Sequence, residues 1–249
     1  MTRKPRVVSS TDIYHCVLRS VNQQIIFEDE EDRCRFLSTL KKCKNHTDLK
    51  VLSYCLMDNH IHLILQIKSE SIGHVFQRIT NSFVPWYNHK YERSGHLFQE
   101  RFFSEPIESE SYLINAFRYI LQNPVRAGII SSPQQYFWSS FRAYAGYDDD
   151  ITDTELVLSM FNSFQELFEL ISTPLPAAQA AHFHGPVHWT DQQALALVLE
   201  ITGCSSIAEL QSFPKAKRNQ VLSKLRKTGI SVRQLSRVTG FSKTLIGTK

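Results

Sequence analysis

Val51-Leu52-Ser53-Tyr54-Cys55-Leu56-Met57-Asp58-Asn59-His60-Ile61-His62-Leu63-Ile64-Leu65 is two apolar runs joined by an Asp-Asn pair. That pattern predicts a β-hairpin turning at Asp58-Asn59, with His60 opening a central strand. Side chains alternate between the faces of a strand, so His60 and His62 point one way and Ile61 the other. A rigid sheet can then offer two imidazoles to one metal ion. The same HxH also describes two histidines on the solvent face of a half-buried strand, so partners elsewhere must decide.

Working outward from the hairpin, Ile13 to Val21 has the β propensity of a first strand. Acidic Glu28 to Asp32 opens a helix whose apolar stripe is Phe36, Leu37, Leu40 and Cys43. A second helix starts near Ser71, and Pro85 should kink or divide it. Gly95 to Ile107 reads as a loop running into a fourth strand. A third helix then runs from about Glu108 to Asn123, where Pro124 stops it. The order is β-α-β-β-α-β-α, an α+β chain of the ferredoxin-like, split βαβ type. This predicts an antiparallel sheet with helices on one face and the other face free to act.

Residues 1–150 form this first domain. One helix is expected over 153–172, within a helix-and-linker segment at 151–189. From 190 to 249 the chain reads as all-helical, ending in a helix-turn-helix at about 230–249. There Val232, Leu235 and Val238 lie on a first helix, Gly240 makes the turn and Ser242 caps a second.

Composition narrows the function classes. Of 249 residues, 42% are hydrophobic and 21% charged, as in a globular protein. No apolar run reaches the length of a membrane span, so the expectation is a cytoplasmic, nucleoid-associated protein without a membrane partner. Five cysteines without CxxC spacing argue against disulfides and a thiolate zinc site. Residues 215–249 carry ten Lys or Arg and no acid, while the first 214 carry 18 basic and 24 acidic side chains, a formal charge of −6. A basic tail on an acidic chain points to a polyanion such as DNA.

The third helix supplies candidate partners for the histidines. Tyr119 and Asn123, at i and i+4, share one helix face. Asn123 brings a carbonyl oxygen, and two imidazoles with one oxygen suit Mg²⁺ or Mn²⁺ with phosphate oxygens completing the shell. Tyr119 brings a phenol, a nucleophile that needs help from its surroundings at neutral pH. Packing for Tyr119 and helix capping for Asn123 remain open on spacing alone.

Four separated segments carry a family resemblance: YCLMDNHIHLIL at 54–65, SGHLFQERF at 94–102, YLINAFRYILQNPVRAGI at 112–129 and WSSFRAY at 138–144. Together they resemble the IS200-type single-tyrosine transposase domain, and more closely the REP-associated tyrosine transposases. The resemblance implies His60 and His62 as ligands of an HUH motif, Asn123 as third ligand and Tyr119 as nucleophile. It also implies nicking and strand transfer of single-stranded and hairpin DNA through a 5′-phosphotyrosine, by a monomer or homodimer. Tyr112, Tyr136 and Tyr144 fall outside the Tyr-x-x-x-Asn spacing.

Arg3, Lys4, Arg6, Arg101, Arg118 and Arg126 are candidate phosphate contacts in the first domain. Arg233, Arg237, Lys243 and Thr244, with Lys227, are candidates in the tail. Phe102, Phe103 and Trp138 are expected in the core rather than stacked on bases. A second cluster, His182, His184 and His188, lacks a regular element to fix it and reads as incidental. Two rival functions share these features: a catalytically silent DNA-binding regulator, and a relaxase or replication-initiator-type nicking enzyme.

Overall fold

The computed structural model describes residues 6–99, 101–180, 183, 191–226 and 230–247. The chain divides into two units, Met1–Phe183 and His184–Lys249. The first begins β1 (Ile13–Arg19), α1 (Glu30–Asn45), β2 (Lys50–Met57), β3 (His60–Gln66), α2 (Ile72–Lys90), β4 (Phe103–Pro106) and α3 (Glu110–Arg126). Among the described residues one four-stranded sheet forms in the order β2-β3-β1-β4, with every neighbouring pair antiparallel. This is the predicted ferredoxin-like α+β arrangement.

Both faces of the sheet are covered, which corrects the expectation of one free face. Tyr14, Cys16, Leu18, Ile61, Leu63 and Leu65 enter a core with Phe36 and Leu40 of α1 and Phe76, Ile79 and Phe83 of α2. The alternate residues Ile13 and Ile64, with Leu52, Cys55 and Met57 of β2, pack on Leu113, Ala116, Phe117 and Ile120 of α3. Each large side chain so buried contributes about 2 kcal/mol, so the stripe on α3 holds that helix on the sheet.

The prolines do not end their helices where the sequence suggested a break. α2 runs undivided through Pro85, and α3 runs through Pro124 to Arg126 instead of stopping at Asn123. An internal proline costs about 3 kcal/mol. Burial of Phe83 and Tyr87 around Pro85, and of Ile120, Leu121 and Pro124 itself, offsets that cost. α3 ends at Arg126, and Gly128, two residues on, turns the chain away with a φ of +71° that few other residues adopt.

Beyond α3 come α4 (Phe141–Tyr144), α5 (Glu155–Leu158), α6 (Phe164–Ser172) and α7 (Ala177–Ala180). The single helix expected over 153–172 is thus two, because Ser163 caps a new helix by accepting from the Glu166 N–H. The stretch read as a linker packs tightly as far as Ala180. Gln122 of α3 donates to the Ile171 and Thr173 carbonyls and accepts from the Leu175 N–H at 2.9 Å, and Leu175 and Ala180 are buried. Residues 136–153 close the outer edge of β2: Leu56 N–H donates to the Trp138 carbonyl and Ser140 N–H to that of Tyr54. Covering an edge strand in this way prevents pairing with other chains.

The second unit holds α8 (Asp191–Thr202), α9 (Ile207–Gln211), α10 (Lys215–Arg226), α11 (Val232–Thr239) and α12 (Lys243–Gly247). They enclose a core of Val198, Leu210, Leu222, Leu225, Leu235 and Ile246. The turn between α11 and α12 follows the sequence reading. Gly240 has φ +73°, a Cβ there would lie 2.6 Å from Gln211 Nε2, and Ser242 Oγ accepts from the Leu245 N–H. No helix among the described residues is long and apolar enough to cross a membrane, and all five cysteines are free thiols.

Candidate active site

β3 carries His60 and His62 on the face that α3 covers, as period-2 alternation requires. Their ring centroids are 4.9 Å apart and the rings nearly perpendicular, at 85°. α3 brings Tyr119 down onto this pair, its ring 5.5 Å from that of His62. One turn further on, Asn123 Nδ2 donates to the Tyr119 carbonyl at 3.1 Å, which turns Oδ1 the other way. His60, His62 and Tyr119 therefore meet where β3 and α3 cross, with Asn123 one helical turn beyond Tyr119. His60 is half-buried, whereas His62 and Tyr119 have no exposed surface.

The donor set fits a hard or borderline divalent ion. Two imidazoles sharing an ion at a bond length of about 2.1 Å have ring centres roughly 5 Å apart, close to the spacing found. Among the described residues no group of three or more His, Cys, Asp or Glu side chains is placed to hold a metal. Two imidazoles and an amide oxygen offer no thiolate to a soft ion.

Burial pushes the Tyr119 phenol up to about 12, opposed by Arg19, Arg126 and a hydrogen bond with Asn123. Arg126 sits 5.9 Å from the ring centre. Arg19 and His15 were missed in the sequence. Alternation along β1 puts His15, Val17 and Arg19 on one side, and pairing with β3 sets Arg19 opposite His60 and Val17 opposite His62. Nothing local in the sequence announces that pairing, since β1 and β3 are separated by a helix and a strand. His15 is fully buried, its ring 6.4 Å from that of Tyr119, and burial lowers its pKa to about 3. Phe183, also unforeseen, lies 6.0 Å from His15 and 5.1 Å from Tyr112.

The other tyrosines have structural tasks. Tyr136 and Tyr144 donate to the Leu56 and Leu52 carbonyls of β2 at 2.7 and 2.6 Å. Phe102 stacks on Phe76, Phe103 lies edge-on to His15, and Trp138 is half-buried, so these aromatics pack rather than project.

The candidate phosphate contacts divide. Arg6 lies on the Phe102 ring at 3.7 Å and donates to Ser104 Oγ and the Phe102 carbonyl. With Lys68 and exposed Arg101 it lines a cavity of about 420 Å³ beside the start of α2. Arg118 ties α3 to the Thr173 and Pro174 carbonyls. In the second unit Arg237 pairs with Asp191, while Arg233, Lys243 and Thr244 are exposed. Arg3, Lys4, Lys227 and the His182, His184, His188 cluster lie outside the described residues.

The family model described as "Transposase IS200 like" matches residues 8–123, a span that includes both histidines, Tyr119 and Asn123. A Haemophilus influenzae protein named "Putative REP-associated tyrosine transposase" is 27% identical over 118 residues, 43% of this chain and 66% of the relative. The chain thus spans just under two thirds of that relative's length. A solved structure of a REP-associated tyrosine transposase bound to a REP hairpin matches with a TM-score of 0.51 at 16% identity, covering 61% of this chain and 94% of that one. At that identity the likeness is one of fold.

Proposed function

We propose that residues 8–123, the span matched by the family model described as "Transposase IS200 like", act as such a domain, and that the protein nicks and rejoins single-stranded DNA at hairpin sites with Tyr119 as nucleophile. The observation that carries this reading is the contact of the Tyr119 ring with His62 beneath α3. The Tyr119 phenol gives up its proton as Oη attacks a backbone phosphorus; an O–P bond forms to give a 5′-phosphotyrosine, the P–O3′ bond breaks, and the departing 3′-oxygen takes up a proton. Attack on that ester by another 3′-hydroxyl rejoins DNA and returns the phenol, so no nucleotide cofactor is consumed. Arg19 and Arg126 stabilise the phenolate and face the phosphate. His60, His62 and Asn123 would hold a divalent ion, Mg²⁺ or Mn²⁺, whose part is to polarise and orient the phosphate.

The helix-turn-helix of α11 and α12 supports a second DNA contact. Exposed Lys243 and Thr244 open α12, the element that would enter a major groove. Site choice and strand chemistry would then reside in different units. The regulator reading has one observation on its side, the complete burial of Tyr119.

A denaturing gel decides between them. Labelled hairpin oligonucleotides from the DNA flanking the gene are incubated with Mn²⁺ or Mg²⁺ and either wild type or Tyr119→Phe. A covalent band in wild type alone is expected. Hairpin shifts in a native gel without any covalent band would instead make the protein a regulator.

A further inference from the structure

His62 lies against a third histidine from the neighbouring strand. The rings of His15 and His62 are parallel to within 9°, and His15 Nε2 is 3.4 Å from His62 Nδ1. His60 is engaged at the same ring position, its Nδ1–H donating to Asn59 Oδ1 at 2.6 Å. An imidazole that ligates through one nitrogen carries its proton on the other, and the acceptor of that proton fixes tautomer and orientation. Asn59 Oδ1 is an acceptor at Nδ1 of His60, and His15 Nε2 faces Nδ1 of His62; with the proton of that second contact on His62, Nε2 becomes the ligating atom of each. We propose that His15 and Asn59 are positioning residues, holding protons on Nδ1 of His62 and His60 so that the two Nε2 lone pairs converge on one ion.

The inference rests on the metal reading given above and adds residues to it. His15 is not itself a ligand in this arrangement, because its Nε2 faces Nδ1 of His62. Nor does packing account for it. Its Nδ1 is buried with no hydrogen-bond partner among the described residues, amid the rings of Phe103, Tyr119 and Phe183. An apolar ring of the same size would fill that space without leaving a polar atom unsatisfied. What an imidazole supplies, and phenylalanine does not, is a neutral acceptor beside His62.

The test uses the full chain and Mn²⁺ alone, read by the paramagnetic resonance of the free ion. His15→Phe should bind Mn²⁺ about 10- to 100-fold more weakly than wild type. His15→Gln, whose Oε1 can accept the same proton, should recover most of the affinity. Long-range ¹H–¹⁵N spectra of metal-free wild type should show the Nδ1–H tautomer at both His60 and His62, a result that does not depend on how any variant folds. Equal Mn²⁺ affinity in wild type and His15→Phe overturns this inference alone. So do Nε2–H tautomers in wild type, or a His15→Gln protein as impaired as His15→Phe. Absence of Mn²⁺ uptake by wild type overturns the metal reading and this inference with it.

Discussion

The rings of Phe183 and Tyr119 are tilted by 30° with their centres 5.3 Å apart, so the last residue of the first unit roofs the phenol. Removing that roof should let water reach the hydroxyl and bring its pKa from about 12 toward the ordinary value near 10. Phe183→Ala is expected to form the DNA adduct up to about tenfold faster at pH 7.5 in single turnover. An unchanged or slower rate would mean that Phe183 guides the substrate instead.

The same burial sets the sign of a pH dependence. A phenol near 12 is almost wholly protonated at neutral pH, so the reactive phenolate grows about tenfold per pH unit. Adduct formation by wild type should rise from pH 7 to 10 with a logarithmic slope near one. Arg19→Gln removes a charge that favours the phenolate and should lower the rate across that range by about tenfold. A plateau near pH 7 would show that another proton transfer limits the reaction.

His15 links the site to acid stability. Its folded pKa of about 3 lies below the unfolded value of 6.5, so between these limits the unfolded chain binds the extra proton. Stability should therefore fall as pH drops from 6.5 toward 3. The loss from this one group is bounded at roughly 5 kcal/mol. Melting temperatures from pH 7 to pH 4 should decline less steeply for His15→Phe than for wild type. Parallel curves would mean that the buried ring is hydrated or paired in solution.

Deleting residues 184–249 removes the exposed cations of the second unit and leaves the first with both of its cores. Hairpin affinity should fall, together with the slope of its logarithm against the logarithm of salt concentration. Adduct formation on a short single-stranded oligonucleotide should persist. Its loss from a folded 1–183 protein would make the second unit part of the catalytic apparatus.

The hairpin at 51–65 was legible because its signals are local: alternation, an Asp-Asn turn and apolar flanks. Tyr119 and Asn123 were legible as a pair because four residues make one helical turn. Their meeting with His62 rested on resemblance, since spacing alone says nothing of how α3 lies on β3. Pro124 misled, and Pro85 does not divide its helix, because the local penalty of a proline is smaller than the burial that a long apolar stripe gains. His15 and Arg19 stayed hidden for a different reason. Their role depends on β1 lying beside β3 rather than beside β2, its next strand in sequence.

Exposure falls inward from the end of the sheet where β1 finishes and β3 starts. Arg19 and His60 there are half-buried, and His15, His62 and Tyr119 behind them are sealed beneath α3. Under the proposed chemistry a phosphodiester must approach from that rim, edge first. A flexible single strand can bend its backbone over such a rim, whereas a stiff duplex would need to lie across a face that α3 already occupies. Discrimination between melted and paired DNA would then follow from thickness and stiffness, before any base is read.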